Sequence, residues 1–162
     1  NSQVLFEDYS FIKARLVLKE MVEVGSLRLI ESNLVTDTVG LYIGYSKNTI
    51  KATGGTRKLT NYTNIYSELL KAFLEIYDKT TDADIPIRRI GVNFANVIKA
   101  ESVQLSLFID QERIDEERKL ELAMCSIKNK MGKNAIIRGM NLEDGATTIM
   151  RNKLIGGHNS GE

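Results

Sequence analysis

Two segments in the first half of the chain carry apolar residues at helical spacing. The first follows Ser10, a candidate N-cap, and its apolar positions are Phe11, Ala14, Leu18, Met21, Val22 and Leu29. The second follows Thr63 or Asn64 as the cap, and its apolar positions are Ile65, Leu69, Ala72, Phe73 and Ile76. Gly25 lies on the first stripe, where a missing side chain lets a helix approach a sheet closely. The pattern predicts two amphipathic helices, the first ending at Asn33.

Other segments change to the period of two that is typical of strands. Residues 3–6 indicate a first strand, and Val39, Leu41, Ile43 and Tyr45 alternate with Thr38, Gly40, Tyr42, Gly44 and Ser46. A hairpin connection over 47–55, with Gly54 and Gly55, leads into a strand over 56–60. After Pro86, a last strand turns Ile90, Val92 and Phe94 inward and Arg89, Gly91 and Asn93 outward.

The predicted order is strand, helix, strand, strand, helix, strand. This order favours an α+β fold, in which a four-stranded antiparallel sheet carries two helices on one face. The other face is open and lined by small and basic residues. We expect residues 1–98 to form this domain, and residues 99–162 to hold a peptide motif, a helix and a mobile C-terminal tail.

The second part of the chain contains a third helical segment over residues 110–131. Its acidic residues lead and Lys128 and Lys130 trail, as the helix dipole prefers. Its narrow apolar stripe is Leu120, Met124, Ile127 and Met131, through which self-association is possible. Residues 135–138 predict a short strand, and residues 154–162 a mobile tail.

Composition limits the class of protein. The 162 residues are 43% hydrophobic and 27% charged, which predicts a folded domain with at most an appendage. No apolar run approaches ~18 residues, so we expect no membrane partner. We expect no signal peptide, and the lone Cys125 favours a reducing, cytosolic setting. Cys125 lies beside the stripe of its helix and is expected to be packed rather than nucleophilic.

The net charge of +1 hides an uneven distribution. Between Asp37 and Glu68 there is no acidic residue, whereas four basic ones lie there: Lys47, Lys51, Arg57 and Lys58. An ordinary solvated hairpin is one explanation. Together with Arg88 and Arg89, the cluster favours a surface that faces a polyanion.

A pentapeptide stands out among charged neighbours. Its residues are Gln104, Leu105, Ser106, Leu107 and Phe108. Three large apolar side chains in a connector indicate a peptide that inserts into a groove, with Leu107 and Phe108 as anchors and Gln104 as the hydrogen-bonding locator. A short edge strand is the alternative. The pattern resembles the peptide by which bacterial DNA polymerases and repair proteins hold the sliding clamp.

Taken together, five segments resemble the C-terminal part of a bacterial Y-family (UmuC/DinB-like) DNA polymerase. They are 2–6 (SQVLF), 41–46 (LYIGYS), 86–92 (PIRRIGV), 104–108 (QLSLF) and 151–158 (RNKLIGGH). The resemblance implies a little-finger domain that lays its sheet along primer–template DNA, a clamp-binding peptide after it, and a parent enzyme in lesion bypass and DNA repair. Arg88 and Arg89 would contact the template backbone. Many relatives place a basic residue where this chain has Asn93, whose amide can still donate a hydrogen bond.

The chain is not expected to catalyse a reaction alone. A polymerase palm needs paired carboxylates that hold two magnesium ions. Asp8 follows the first predicted strand, and Asp82 and Asp84 lie in a connector without the sequence of a palm around them. We therefore expect no cofactor here and Mg in the parent polymerase, and His158 has no neighbouring metal ligand. The alternative is a freestanding α+β regulatory or ligand-binding domain, which would have a closed polar pocket between helices and sheet. A small enzyme is the least favoured reading.

Overall fold

The structure is a computed structural model that describes residues 1–46, 50–102, 111–155 and 158–159. The elements of its first part are β1 (Ser2–Tyr9), α1 (Phe11–Glu31), β2 (Leu34–Tyr45), β3 (Thr53–Thr63), α2 (Tyr66–Thr80), β4 (Ile87–Ala95) and β5 (Ile98–Lys99). Those of its second part are α3 (Gln111–Met131), α4 (Thr148–Arg151), β6 (Leu154–Ile155) and β7 (His158–Asn159). Two 3₁₀ turns, Ala100–Ser102 and Gly139–Leu142, complete the order.

The main sheet has the strand order β1–β4–β2–β3, and all of its neighbouring strands are antiparallel. This confirms the α+β fold predicted from the sequence. Two details differ: β3 begins at Thr53, within the predicted connection, and β5 adds a short fifth strand that pairs with the start of β2. Lys47 falls outside the described residues.

Both helices cover the same face of the sheet. The inward residues of β2 and β4, among them Val39, Ile43 and Ile90, are fully buried against apolar residues of α1 and α2 such as Leu18 and Phe73. The predicted stripes are therefore confirmed. In the described part of the chain, apolar side chains of the two helices and the sheet form one continuous core.

The two helices are capped differently. Ser10 caps α1 as predicted, because its side chain accepts a hydrogen bond from the amide of Lys13. The prediction of Thr63 or Asn64 as the cap of α2 is wrong: the N-cap position is Ile65, which offers no side-chain cap. Carboxylates of α3 act instead, since Glu121 accepts from the Tyr66 amide at 3.2 Å and Glu117 from the Ser67 amide at 2.9 Å.

This capping explains why the predicted stripe on α3 is wrong in part. Glu117 and Glu121 turn inward to α2, and Ile114 and Met124 are buried beside them. Leu120 and Met131 consequently lie on the outer side, exposed by 53% and 75%. Self-association through this helix remains a prediction.

Residues 132–155, together with α3, form a C-terminal extension that packs against α1. Its main anchor is Glu20, which is buried and accepts four hydrogen bonds, from Asn141, the amide and hydroxyl of Thr147, and the amide of Thr148. The strand predicted over 135–138 is wrong, because Arg138 instead caps a 3₁₀ turn and pairs with Glu23. Of the predicted mobile tail, β6 pairs with β7, and the remainder lies outside the described residues.

Candidate nucleic-acid interface

The face of the sheet that the helices leave uncovered, called the outer face, is built mainly from β2, β3 and β4. Strand register places Asn93 beside Gly40 and Gly40 beside Thr56, while Arg89 lies beside Gly44. Side chains alternate across a strand, so these residues lie opposite the buried Val39, Leu41, Ile43 and Ile90. The outward assignment of Arg89 and Asn93 in the sequence is therefore confirmed in position.

A β-bulge in β4 lies at the two adjacent arginines. Ile87 and Ile90 are both fully buried although two residues separate them, and the register against β2 slips between Gly44 and Tyr45. The extra residue is Arg88, and bulges redirect side chains of the strand in which they occur. Arg88 pairs with Asp8 of β1 at 3.7 Å, whereas Arg89 is exposed and has no acidic partner among the described residues.

Lys58 lies at the far end of the outer face, opposite Thr38. Its ammonium is 3.7 Å from Asp37 but its side chain remains 76% exposed. The Thr38 hydroxyl donates to the Asp37 carboxylate at 2.7 Å, and this bond chiefly lowers the pKa of Asp37. Lys58 is thus only loosely held and can turn towards an anion.

The structure does not bring every predicted residue to this face. Arg57 pairs in register with the buried Val39 and forms an ion pair with Glu75 of α2, so it lies on the helix side of the sheet. Its grouping with Lys58 was wrong because adjacent residues of a strand point to opposite faces. Lys51 is exposed immediately before β3. Lys47 and the pentapeptide at 104–108 lie outside the described residues.

A shallow depression of about 400 Å³ runs across the outer face. Its lining residues are Asn1, Ser2, Gly40, Leu41, Tyr42, Gly55, Thr56, Gly91, Val92 and Asn93. Three of these are glycines, so a bound chain can approach the backbone closely. Thr56 and Tyr42 were not named as site residues from the sequence. For Tyr42, its position between the outward glycines Gly40 and Gly44 was the available signal.

The outer face carries the kinds of hydrogen-bond donor and cation that phosphate groups accept. It offers guanidinium, ammonium, amide and hydroxyl donors over an open sheet, and cations of this kind neutralise a nucleic-acid backbone without reading its sequence. In the described part of the chain, no group of three or more His, Cys, Asp or Glu side chains could hold a metal ion. The described helices include none that could cross a membrane. Cys125 is half-buried, and burial raises the pKa of its thiol, which makes it a poor nucleophile.

The family domain and the individual proteins that this chain resembles agree with one another. Residues 1–107 match the impB/mucB/samB family C-terminal domain. The chain is 33% identical over 166 aligned positions to the UV-damage repair protein UvrX of Bacillus subtilis, covering 98% of this chain and 38% of UvrX. It is 33% identical over 155 positions to DNA polymerase IV 2 of Halalkalibacterium halodurans, covering 93% of this chain and 37% of that protein.

A solved complex of the β-clamp processivity factor with the little finger domain of PolIV is similar over 67% of this chain and 96% of the other. Its TM-score is 0.47 and its identity 12%. The chain spans less than two fifths of the length of the two proteins UvrX and DNA polymerase IV 2. On the match to residues 1–107, the chain belongs to the impB/mucB/samB family and carries its C-terminal domain.

Proposed function

We propose that this chain is the DNA-binding and clamp-tethering part of a lesion-bypass DNA polymerase. The observation that carries the proposal is the outer face, where Arg89, Asn93 and Lys58 lie around a glycine-lined depression that none of the described helices covers. The names of its relatives, a UV-damage repair protein and a DNA polymerase IV, support the same reading.

The chain acts by positioning rather than by chemistry. A sheet that holds the backbone of primer–template DNA keeps the duplex in register with a catalytic domain elsewhere in a parent polymerase, which would use Mg²⁺ for phosphoryl transfer. Residues 104–108 would bind a hydrophobic pocket of the sliding clamp. Engaging clamp and DNA together makes the second contact intramolecular, so two weak contacts become a stable attachment.

A comparison of two arginines tests the DNA-binding half of the proposal. Arg89→Ala removes an outer-face cation, whereas Arg57→Ala is its matched control because Arg57 lies on the helix side and pairs with Glu75. We expect the affinity of the chain for primer–template DNA, measured by fluorescence anisotropy, to fall steeply with salt for the unmodified chain. Arg89→Ala should reduce the slope of log K against log salt by about 1, and Arg57→Ala should leave it unchanged.

Two results would contradict the proposal. The first is binding that does not respond to salt, or no binding at low ionic strength. The second is an equal effect of the two substitutions, which would place the DNA elsewhere than on the outer face.

A further inference from the structure

Tyr42 is the most exposed tyrosine among the described residues, and its ring lies along the sheet rather than upright. A Cβ built on Gly44, the next outward residue of β2, would lie 3.2 Å from Cε1 and 3.4 Å from the hydroxyl oxygen of Tyr42. An upright ring would carry its hydroxyl far from Gly44. The ring therefore leans over Gly44, and the absence of a side chain there permits this position.

The upper surface of this ring is open. Tyr42 is 46% exposed, and its hydroxyl makes no hydrogen bond with the described residues. The neighbouring Tyr45, by contrast, is buried, and its hydroxyl bonds to Thr53 at 2.7 Å and to the amide of Asp82 at 2.9 Å. Among the described residues, the Tyr42 hydroxyl thus contributes no hydrogen bond to the fold.

One cation and two hydrogen-bond donors lie beside the ring. The Cβ of Arg89 is 3.2 Å from the position that a Cβ of Gly44 would take, so Arg89 is a direct neighbour of the space under the ring. Asn93 and Thr56 line the depression that opens on the other side of Tyr42. An aromatic surface beside phosphate-binding side chains is the combination that holds single-stranded nucleic acid.

We infer that Tyr42 is a stacking platform for an unpaired nucleobase of the bound DNA. This inference rests on the proposed function and adds to it a preference for the single-stranded end of a primer–template. A flat ring can stack only on a base whose own face is free, and the faces of bases within a duplex are covered by their neighbours. Antiparallel sheets with aromatic residues on an open face bind unpaired bases in this way in other proteins.

The test compares two substrates and three variants of the 162-residue chain. The substrates are a blunt duplex and the same duplex with a single-stranded overhang. Tyr42→Leu removes the ring but keeps apolar bulk, Tyr42→Phe removes only the hydroxyl, and Arg89→Ala removes a phosphate contact. We expect Tyr42→Leu to weaken binding to the overhang substrate about tenfold more than binding to the blunt duplex, with an unchanged salt slope. Tyr42→Phe should bind like the unmodified chain.

Three results would overturn the stacking inference. If Tyr42→Phe loses as much affinity as Tyr42→Leu, the hydroxyl contacts a phosphate and the stacking inference fails. An equal loss on both substrates also overturns it. If Tyr42→Leu lowers the melting temperature but changes no affinity, the ring only shields the backbone at Gly44. In any of these three cases, weaker DNA binding by Arg89→Ala would still support the proposed function. If the unmodified chain does not bind DNA, the stacking inference and the proposed function both fail.

A fluorescent variant gives an independent readout. The chain contains no tryptophan, so Tyr42→Trp places a single indole at this position. Stacking on a base should quench its emission when the overhang substrate is added and not when blunt duplex is added. Equal quenching by both substrates would contradict the inference.

Discussion

The aromatic ring of Phe94 fills the space that a side chain at Gly25 would occupy. A Cβ on Gly25 would lie 2.3 Å from Cε2 and 2.4 Å from Cζ of Phe94, well inside van der Waals contact. Phe94 also meets Phe73 edge to face, with ring centroids 5.5 Å apart. One ring of β4 therefore packs against both α1 and α2, on the side of the sheet opposite the outer face.

Gly25→Ala should destabilise the chain. Alanine favours a helix interior by about 1 kcal/mol over glycine, but overpacking against Phe94 costs about 1–3 kcal/mol, so we expect a net loss in the free energy of unfolding measured in urea. Adding Phe94→Leu should recover part of this loss. Gly139→Ala is the control, since no atom lies within 4 Å of its Cβ position. Unchanged stability of Gly25→Ala would show that the ring can move aside.

Asp8→Asn should strengthen DNA binding. Asp8 pairs with Arg88 at 3.7 Å and adds negative charge beside the outer face, so its neutralisation frees a cation. We expect a gain of a few-fold at low salt that disappears as salt screens the charges, measured by anisotropy. Asp78→Asn is the matched control, because Asp78 pairs with Arg15 on the helix side. A loss of affinity in Asp8→Asn would mean that the Arg88 pair orders the bulge for binding.

The double substitution Leu107→Ala and Phe108→Ala should abolish binding to a bacterial sliding clamp. It removes both apolar anchors, and the affinity of so short a peptide rests on few contacts, around micromolar. DNA affinity and melting temperature should stay nearly unchanged. A variant that melts far earlier would show that these residues pack in the fold, as the edge-strand alternative holds. Surface plasmon resonance against immobilised clamp gives the affinity, and circular dichroism gives the melting temperature.

Glu20→Ala should release the C-terminal extension. It leaves the amides of Thr147 and Thr148 and the side chain of Asn141 without their acceptor, at a cost of roughly 3 kcal/mol or more. We expect faster tryptic cleavage after Lys133 and Arg138 at a temperature where the sheet stays folded. Lys19→Ala, at the adjacent position of α1, should be cleaved after Lys133 and Arg138 at the same rate as the unmodified chain. Equal cleavage of both variants would mean that other contacts hold the extension.

The stability of the chain should fall as the pH rises from about 5 to 7. Burial, and next the charge of Glu117, raises the pKa of Glu121 from 4.5 to about 7 in the folded state, and burial raises that of Glu23. The folded chain then binds protons that the unfolded chain releases, so the free energy of unfolding decreases with pH through this window.

Glu121→Gln should flatten that dependence. The side-chain oxygen of glutamine still accepts from the Tyr66 amide, but the group no longer titrates. Urea denaturation at a series of pH values measures the slope, with Glu112→Gln, exposed in the first turn of α3, as the control. An unchanged slope in Glu121→Gln would assign the titration to Glu23 or another group.

Local periodicity was enough to predict the main sheet and the two helices that cover it. Alternation placed Val39 and Ile90 inward and Arg89 and Asn93 outward, because a strand with one buried face has little freedom of register. The same rule separates Arg57 from Lys58, and counting charges without it grouped them wrongly. The bulge that turns Arg88 was not predictable, since it depends on pairing with β2 and not on the residues of β4 alone.

The extension was predicted poorly for a different reason. Glu20, Glu117 and Glu121 look like solvated charges in the sequence, and charged residues are rarely buried. Their partners lie 50 or more residues away, at Ser67, Tyr66, Asn141 and Thr147. No local pattern identifies such partners, so neither the inward side of α3 nor the anchor on α1 followed from the sequence.

The anchor at Glu20 has a consequence for how the chain opens. Its hydrogen bonds join positions 121 to 128 residues apart, and they attach the extension through polar groups, whereas Met140 packs only at the edge of the main core. Segments held in this way form separate cooperative units, and the free energy needed to open them is lower than the free energy of global unfolding. The amides of Thr147 and Thr148 should therefore exchange hydrogen with solvent sooner than those of β2 and β4. The chain then has two stabilities, one for the sheet and a lower one for the segment that closes over α1.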